Sequence, residues 1–175
     1  IKEVPYGVSD FQTMVEQNIY YVDKTMYIPE LEKQARYLIF IRPRRFGKSI
    51  FLGMLHAYYD IRTKHKFQQW FGNLWIGKHP TPLQGRYQVM HLDFSQVGGN
   101  IDNLEEKFNF YMGVQLDGFV RDYAEFYSDE LRRKVNATQD AGGKLALIQS
   151  EAKVKEYPLY LIIDEYDNFT NTVLN

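Results

Sequence analysis

The run Arg42-Pro43-Arg44-Arg45-Phe46-Gly47-Lys48-Ser49 constrains this chain more than any other segment, because apolar sequence flanks it on both sides. Tyr37-Leu38-Ile39-Phe40-Ile41 precedes it and Ile50-Phe51-Leu52-Gly53-Met54-Leu55 follows it. A buried strand, a tight turn ending in Gly-Lys-Ser and an amphipathic helix together form a phosphate-binding device. The first amides of the helix have no partner within it, and its positive end attracts anions. The standard phosphate loop, G-x-x-x-x-G-K-[ST], has glycine where this chain has Arg42, so the match is incomplete. A second segment complements it. Leu159-Tyr160-Leu161-Ile162-Ile163 runs directly into Asp164-Glu165. An apolar strand ending in adjacent carboxylates is where a nucleoside triphosphatase holds magnesium and activates water. The two elements, in this order and each after an apolar strand, imply nucleotide binding.

The chemistry expected of each residue follows from its type. Lys48 reaches the terminal phosphates as a mobile point charge. Backbone amides from Arg45 through Phe46, Gly47 and Lys48 to Ser49 converge on the same phosphates, and Arg44 extends the nucleotide-binding set. The Ser49 hydroxyl and the Asp164 carboxylate are the expected Mg²⁺ ligands, Asp164 directly or through water. Glu165 orients and deprotonates the attacking water, which makes Lys48 and Glu165 the expected catalytic residues. Each element alone has a plainer reading: Gly-Lys-Ser as an ordinary helix start, Asp-Glu as a solvated loop. Arg42, Arg44 and Arg45 neutralise phosphate, form ion pairs or shape the loop. Asp93 contacts water near the metal or makes a structural hydrogen bond, and Asp167 fits a network or surface role. His56, His65, His79 and His91 lack metal-ligand spacing. Tyr20 and Tyr21 are candidates for a nucleobase contact or for packing.

A length of 175 residues supports one domain with a sizeable core, or one domain with a small appendage. The net charge of −1 offers no broad electrostatic reason for nucleic-acid or membrane binding. Cysteine is absent, which excludes disulfide and thiolate chemistry and is compatible with a reducing cytosol. No apolar run reaches membrane-spanning length, and Ile1-Lys2-Glu3-Val4-Pro5 has no signal-like stretch. The expected location is cytoplasmic.

Along the chain, Ser9-Asp10 caps a short helix to about Gln17, with Phe11, Met14 and Val15 as its apolar stripe. Ile19 to Thr25 reads as a short edge strand or extended link. Asp23 or Thr25 caps a helix with Met26, Ile28, Leu31 and Ala35, which Pro29 forces to start late. The core strand covers about 37–42, and the following helix runs from Lys48 to about Asp60 on Ile50, Phe51, Met54, Leu55 and Tyr58. Phe67, Trp70, Phe71, Leu74 and Trp75 predict a short packed helix. A second strand spans Tyr87 to Phe94, followed by a loop over Ser95 to Asn100. A helix from Leu104 to about Tyr127 is predicted, with a break possible at Gly113 or Gly118. Residues 128–141 read as charged and solvent-facing, and Gly142-Gly143 as a turn, with a helix continuing through Leu145, Leu147 and Ile148. The strand at 159–163 closes a pattern of helices alternating with apolar strands, which implies an α/β fold with a mostly parallel sheet covered on both faces.

With these segments in view, the chain resembles the AAA-ATPase-like domain family found in many bacterial proteins. The resemblance rests on Gly7-Val8-Ser9-Asp10-Phe11, Tyr21-Val22-Asp23-Lys24-Thr25, Arg42 to Ser49, His91-Leu92-Asp93-Phe94 and Ile163-Asp164-Glu165-Tyr166-Asp167. It makes the missing glycine a family trait. It implies a P-loop NTPase-like three-layer fold, with ATP and Mg²⁺ as ligands and Lys48, Ser49, Asp164 and Glu165 at the motif positions. Residues 1–36 become an N-terminal family-specific segment packed on the core, and 37–175 a partial P-loop ATPase domain truncated at its C-terminus. The central strand, with its polar sensor, and a later arginine sensor are then missing, a gap that self-association can fill. Relatives often add a PD-(D/E)XK nuclease-like domain, absent from this sequence. The expected function is Mg²⁺-dependent ATP hydrolysis. The alternative is a nucleotide-responsive switch that recruits a partner through aromatic surfaces such as Trp70 and Trp75.

Overall fold

A computed structural model describes residues 3–4, 8, 10–34, 38–39, 47–97 and 103–166. The chain is mixed α/β and divides into two compact units, Ile1–Tyr87 and Gln88–Asn175.

The first unit is helical. Helix α1 (Phe11–Glu16) begins at Asp10, whose Oδ2 accepts the Thr13 amide at 2.7 Å. Its stripe points Phe11 and Met14 into the core and leaves Val15 half-buried. Asn18, at φ 53°, turns the chain out of the helix, and the Ile19 amide returns to the Met14 carbonyl at 2.9 Å. Residues 19–24 are an extended link rather than an edge strand. A 3-10 turn at Thr25–Tyr27 leads into α2 (Ile28–Lys33), with Pro29 in the first turn as its fixed φ demands. Helix α3 (Lys48–Tyr59) buries Phe51, Met54, Leu55 and Tyr58 and leaves Ile50 half-buried. After a 3-10 stretch at Ile61–Lys66 come two short helices, α4 (Phe67–Phe71) and α5 (Trp75–Lys78), where the apolar pattern predicts one. Gly72, Asn73 and Leu74 separate them, and Leu74 is extended.

Aromatic packing joins these pieces. Phe71 stacks on Phe11 at 5.1 Å and on Phe67 at 5.6 Å, and meets the Tyr58 ring edge-on at 5.6 Å. Trp70 Nε1 donates to Glu16 Oε1 at 2.9 Å, tying α4 to the end of α1.

Of the expected core strand at 37–42, Leu38 and Ile39 are described; both are exposed and lie outside any strand. A parallel strand needs neighbours on its edges and cover on its faces, and among the described residues these two pair with no strand. The rest of that strand lies outside the described residues, as does Ala35.

At the end of α3, Asp60 is 1 % exposed and is surrounded by donors. Arg62 donates to its carboxylate from the backbone amide (2.9 Å) and from Nη2 (2.8 Å), and His56 Nε2 stands 3.3 Å from Oδ2. Burial alone raises its pKa. The hydrogen bonds with His56 and Arg62 and the arginine charge outweigh burial and hold the pKa at about 2, below the ordinary 3.8. A depressed carboxylate contributes stability above its unfolded pKa and loses it as pH falls through its folded one. The wild type is therefore expected to lose about 2 kcal/mol more than Asp60→Asn between pH 5 and pH 2. Denaturant unfolding of both proteins across that range checks this. Parallel curves would show that Asp60 is not the source.

The second unit contains two parallel strands, β1 (Gln88–Asp93) and β2 (Leu159–Asp164), paired from Gln88↔Leu159 to Asp93↔Asp164. Among the described residues this two-stranded sheet is the extent of the parallel sheet expected of a three-layer fold. Helix α6 (Leu104–Asp122) packs on β1 and is uninterrupted, so Gly113 and Gly118 do not break it. It ends earlier than its apolar pattern implies, with residues 123–126 in turns. Tyr123 and Tyr127 are buried nonetheless. Tyr123 Oη accepts the Val89 amide at 2.7 Å, and Tyr127 Oη donates to Gln88 Oε1 at 2.5 Å. Tyr123 continues the expected stripe of Leu116, Phe119 and Val120, and both buried phenol oxygens find partners on β1.

Residues 128–141 are a correction to the sequence reading. They contain α7 (Asp129–Ala137), capped by Ser128 and burying Leu131 and Val135. Two apolar residues four apart suffice when the rest of the helix is solvated. The helix expected through Leu145, Leu147 and Ile148 is present as α8 (Ala141–Val154), but Gly142-Gly143 is a second correction, for both lie in its first turn. Asp140 Oδ2 accepts the Gly143 amide at 2.6 Å, and this cap prevails over the low helix propensity of glycine. Lys144, 4 % exposed, joins the three helices: its Nζ donates to Asp117 Oδ1 on α6 (2.6 Å) and to the Val135 carbonyl on α7 (3.0 Å).

Candidate functional site

The first candidate segment, in the first unit, is the start of α3. Gly47 has φ 74° and ψ 24°, the left-handed conformation in which a side chain is strained, and its carbonyl accepts the Phe51 amide at 3.0 Å. No side chain caps this end, and the first turn holds no acidic residue. The positive end of this 12-residue helix therefore has no acidic side chain from its own first turn. Lys48 is half-buried there and Ser49 is exposed. Arg44, Arg45 and Phe46, together with Arg42, lie outside the described residues, so of the expected nucleotide-binding set the structure describes Gly47, Lys48 and Ser49.

One residue given no role from the sequence joins this turn. A Cβ placed on Gly47 would stand 3.6 Å from Lys24 Nζ. The adjacent Asp23 and Thr25 are recognisable as capping candidates, but nothing in the spacing between positions 24 and 47 signals the approach.

The second candidate segment, in the second unit, is the end of β2. Asp164 is 7 % exposed, and its Oδ1 accepts the Glu165 amide at 2.9 Å. Its carbonyl accepts the Phe94 amide at 3.0 Å, which extends the strand pairing by one step. Glu165 has φ 55°. Among the described residues two other non-glycine residues share that sign, Asn18 and Glu156, but both close helix ends through a returning amide. Glu165 follows a strand and precedes the helical Tyr166, so it does not end a helix as those two do. Such backbone costs about 1–2 kcal/mol and collects at functional sites.

The other candidates resolve into packing. Asp93, opposite Asp164 in register, accepts the Ser95 amide on Oδ1 at 2.7 Å, and Gln115 bonds its backbone amide (2.6 Å) and carbonyl (2.8 Å). The structural hydrogen bond expected of Asp93 is thus present. Tyr21 meets Phe11 edge-on at 5.2 Å, and burial pushes its phenol pKa well above the ordinary tyrosine range. Tyr20 is exposed. Trp70, expected as part of a recruiting surface, is only 3 % exposed and belongs to the core. Trp75 is partly exposed and stacks on His79 at 4.4 Å. Asp167 lies outside the described residues.

Among the described residues no group of three or more His, Asp or Glu side chains is arranged to hold a metal ion. The donors that the motif positions offer, the hydroxyl of Ser49 and the carboxylate of Asp164, are hard oxygens of the kind Mg²⁺ takes alongside phosphate and water.

The family model described as "Predicted AAA-ATPase" matches residues 5–175. The chain belongs to this AAA-ATPase-like family. A curated protein of Azotobacter chroococcum mcd 1, described as "Uncharacterized protein in vnfD 5'region", is 44 % identical over 55 residues. That match covers 31 % of this chain and 11 % of the Azotobacter protein. No solved structure matches the AAA-ATPase-like chain. None of its helices among the described residues is long and apolar enough to cross a membrane.

Proposed function

We propose that this AAA-ATPase-like chain binds ATP with Mg²⁺ and hydrolyses it, through a three-layer P-loop architecture to which residues 37–175 contribute and on which residues 1–36 pack. The observation that supports this best is the left-handed Gly47 opening an uncapped helix with Lys48 and Ser49 in its first turn and no acidic side chain there. A polyphosphate is the complement of such a turn. Family membership and the order of the two motifs support it further.

In this reading Lys48, Gly47 and the flanking Arg44, Arg45 and Phe46 hold the phosphates. Ser49 and Asp164 would hold Mg²⁺, which neutralises charge on the phosphate oxygens. Glu165 accepts a proton from water as its oxygen attacks the terminal phosphorus. The bond from that phosphorus to the ADP oxygen breaks, and ADP leaves with the electron pair. The setting is cytoplasmic, and the net charge of −1 does not favour nucleic acid as a partner.

Calorimetric titration with ATP·Mg²⁺ tests the binding step. Lys48→Ala is expected to weaken ATP about 100-fold, since a charge-assisted phosphate contact is worth about 1.5–3 kcal/mol. A wild type without Mg²⁺-dependent ATP binding, or an alanine variant that binds equally well, would overturn the proposal.

A further inference from the structure

We infer that Lys24 is a second phosphate-binding cation of this nucleotide site, an inference that rests on the ATP-binding reading above. Its two neighbours are fastened to α5. Asp23 Oδ1 accepts the Thr25 amide (2.8 Å) and hydroxyl (2.7 Å), while Oδ2 accepts the Trp75 amide at 2.7 Å. Thr25 is fully buried, and its Oγ1 accepts the Ile76 amide at 3.1 Å. The Lys24 carbonyl takes the Tyr27 amide at 3.2 Å, which closes the turn. With its two neighbours clamped, the Lys24 side chain extends the other way, towards Gly47. Its ammonium stands 3.6 Å from the position a Gly47 Cβ would take.

Electrostatics make this placement informative. Lys24 is half-buried, and among the described residues its ammonium has no hydrogen-bond or ion-pair partner. It lies beside the positive end of α3, which has no acidic residue in its first turn. A partly desolvated cation next to a helix N-terminus is disfavoured on both counts. An anion at the turn reverses both signs, and the phosphates expected at Gly47-Lys48-Ser49 are such an anion. Lysine serves here as a point charge on a flexible stem, able to follow the phosphate chain. The contact falls on the phosphates and not on the base, so Lys24 sets a preference for polyphosphate over monophosphate nucleotides.

Titration with ATP and with AMP, both with Mg²⁺, tests the assignment on the wild type, Lys24→Met, Lys24→Arg and the surface control Lys33→Met. Lys24→Met is expected to weaken ATP by about 10- to 100-fold, to change AMP by less than about threefold, and to leave the unfolding temperature of the ligand-free protein unchanged or raised. Lys24→Arg restores most of the ATP affinity, and Lys33→Met matches the wild type. A purely structural lysine would move ATP and AMP together or lower the unfolding temperature when replaced, and either result overturns the inference. Wild-type ATP binding that Lys24→Met leaves intact removes the role of Lys24 alone. A wild type that binds neither nucleotide removes the underlying proposal as well.

Discussion

Glu165→Gln is expected to bind ATP within about twofold of the wild type and to hydrolyse it about 10²- to 10⁴-fold more slowly, the range that loss of a positioned general base produces. The amide keeps the size of the carboxylate and still accepts a hydrogen bond from water, but it does not take the proton. The substitution is also structurally mild. Glu165 holds a left-handed backbone, φ 55°, and glutamine meets the same steric cost there as glutamate. The Glu165 amide that donates to Asp164 Oδ1 is main chain and survives the change. Phosphate release under saturating ATP, paired with a binding titration, separates the two effects. Unchanged turnover would exclude Glu165 as the base. Tight wild-type binding with no turnover at all would instead favour a nucleotide-responsive switch.

Phe71→Ala is expected to destabilise the first unit by about 3–5 kcal/mol, the usual cost of emptying a large aromatic site. Phe71 is fully buried, and its ring is shared by three elements: Phe11 on α1, Tyr58 on α3 and Phe67 on its own helix. Removing it forfeits three ring contacts and leaves a cavity that helices fastened elsewhere close poorly. Those fastenings include the Trp70–Glu16 hydrogen bond and the Asp10 cap of α1. The loss is a large fraction of the roughly 5–15 kcal/mol that holds a domain together. Denaturant unfolding followed by tryptophan fluorescence reads it directly, because Trp70 is the next residue. A shift below about 1 kcal/mol would mean that this cluster is not the centre of the unit.

Elements with a strong local signal are legible in the amino-acid sequence itself. The stripe of Phe51, Met54, Leu55 and Tyr58 predicts α3, and the apolar runs at 87–94 and 159–163 become β1 and β2. Pro29 sets the late start of α2. The fold departs from the sequence pattern where a single hydrogen bond opposes a propensity. Asp140 draws Gly142 and Gly143 into a helix, and Ser128 starts one in a charged stretch that reads as loop. A side-chain cap is invisible to a periodicity argument until its partner amide is known.

The site divides along the same line. Gly47-Lys48-Ser49 and Asp164-Glu165 are candidates that chain order alone picks out, since a phosphate loop and a carboxylate pair are each built from adjacent residues whose chemistry is written in their types. The left-handed backbone of Gly47 and Glu165, the burial of Trp70 and the approach of Lys24 to Gly47 emerge only in the folded chain. Contact between positions 24 and 47 depends on Asp23 and Thr25 seizing the first amides of α5, and no local pattern specifies a bond between residues about fifty positions apart.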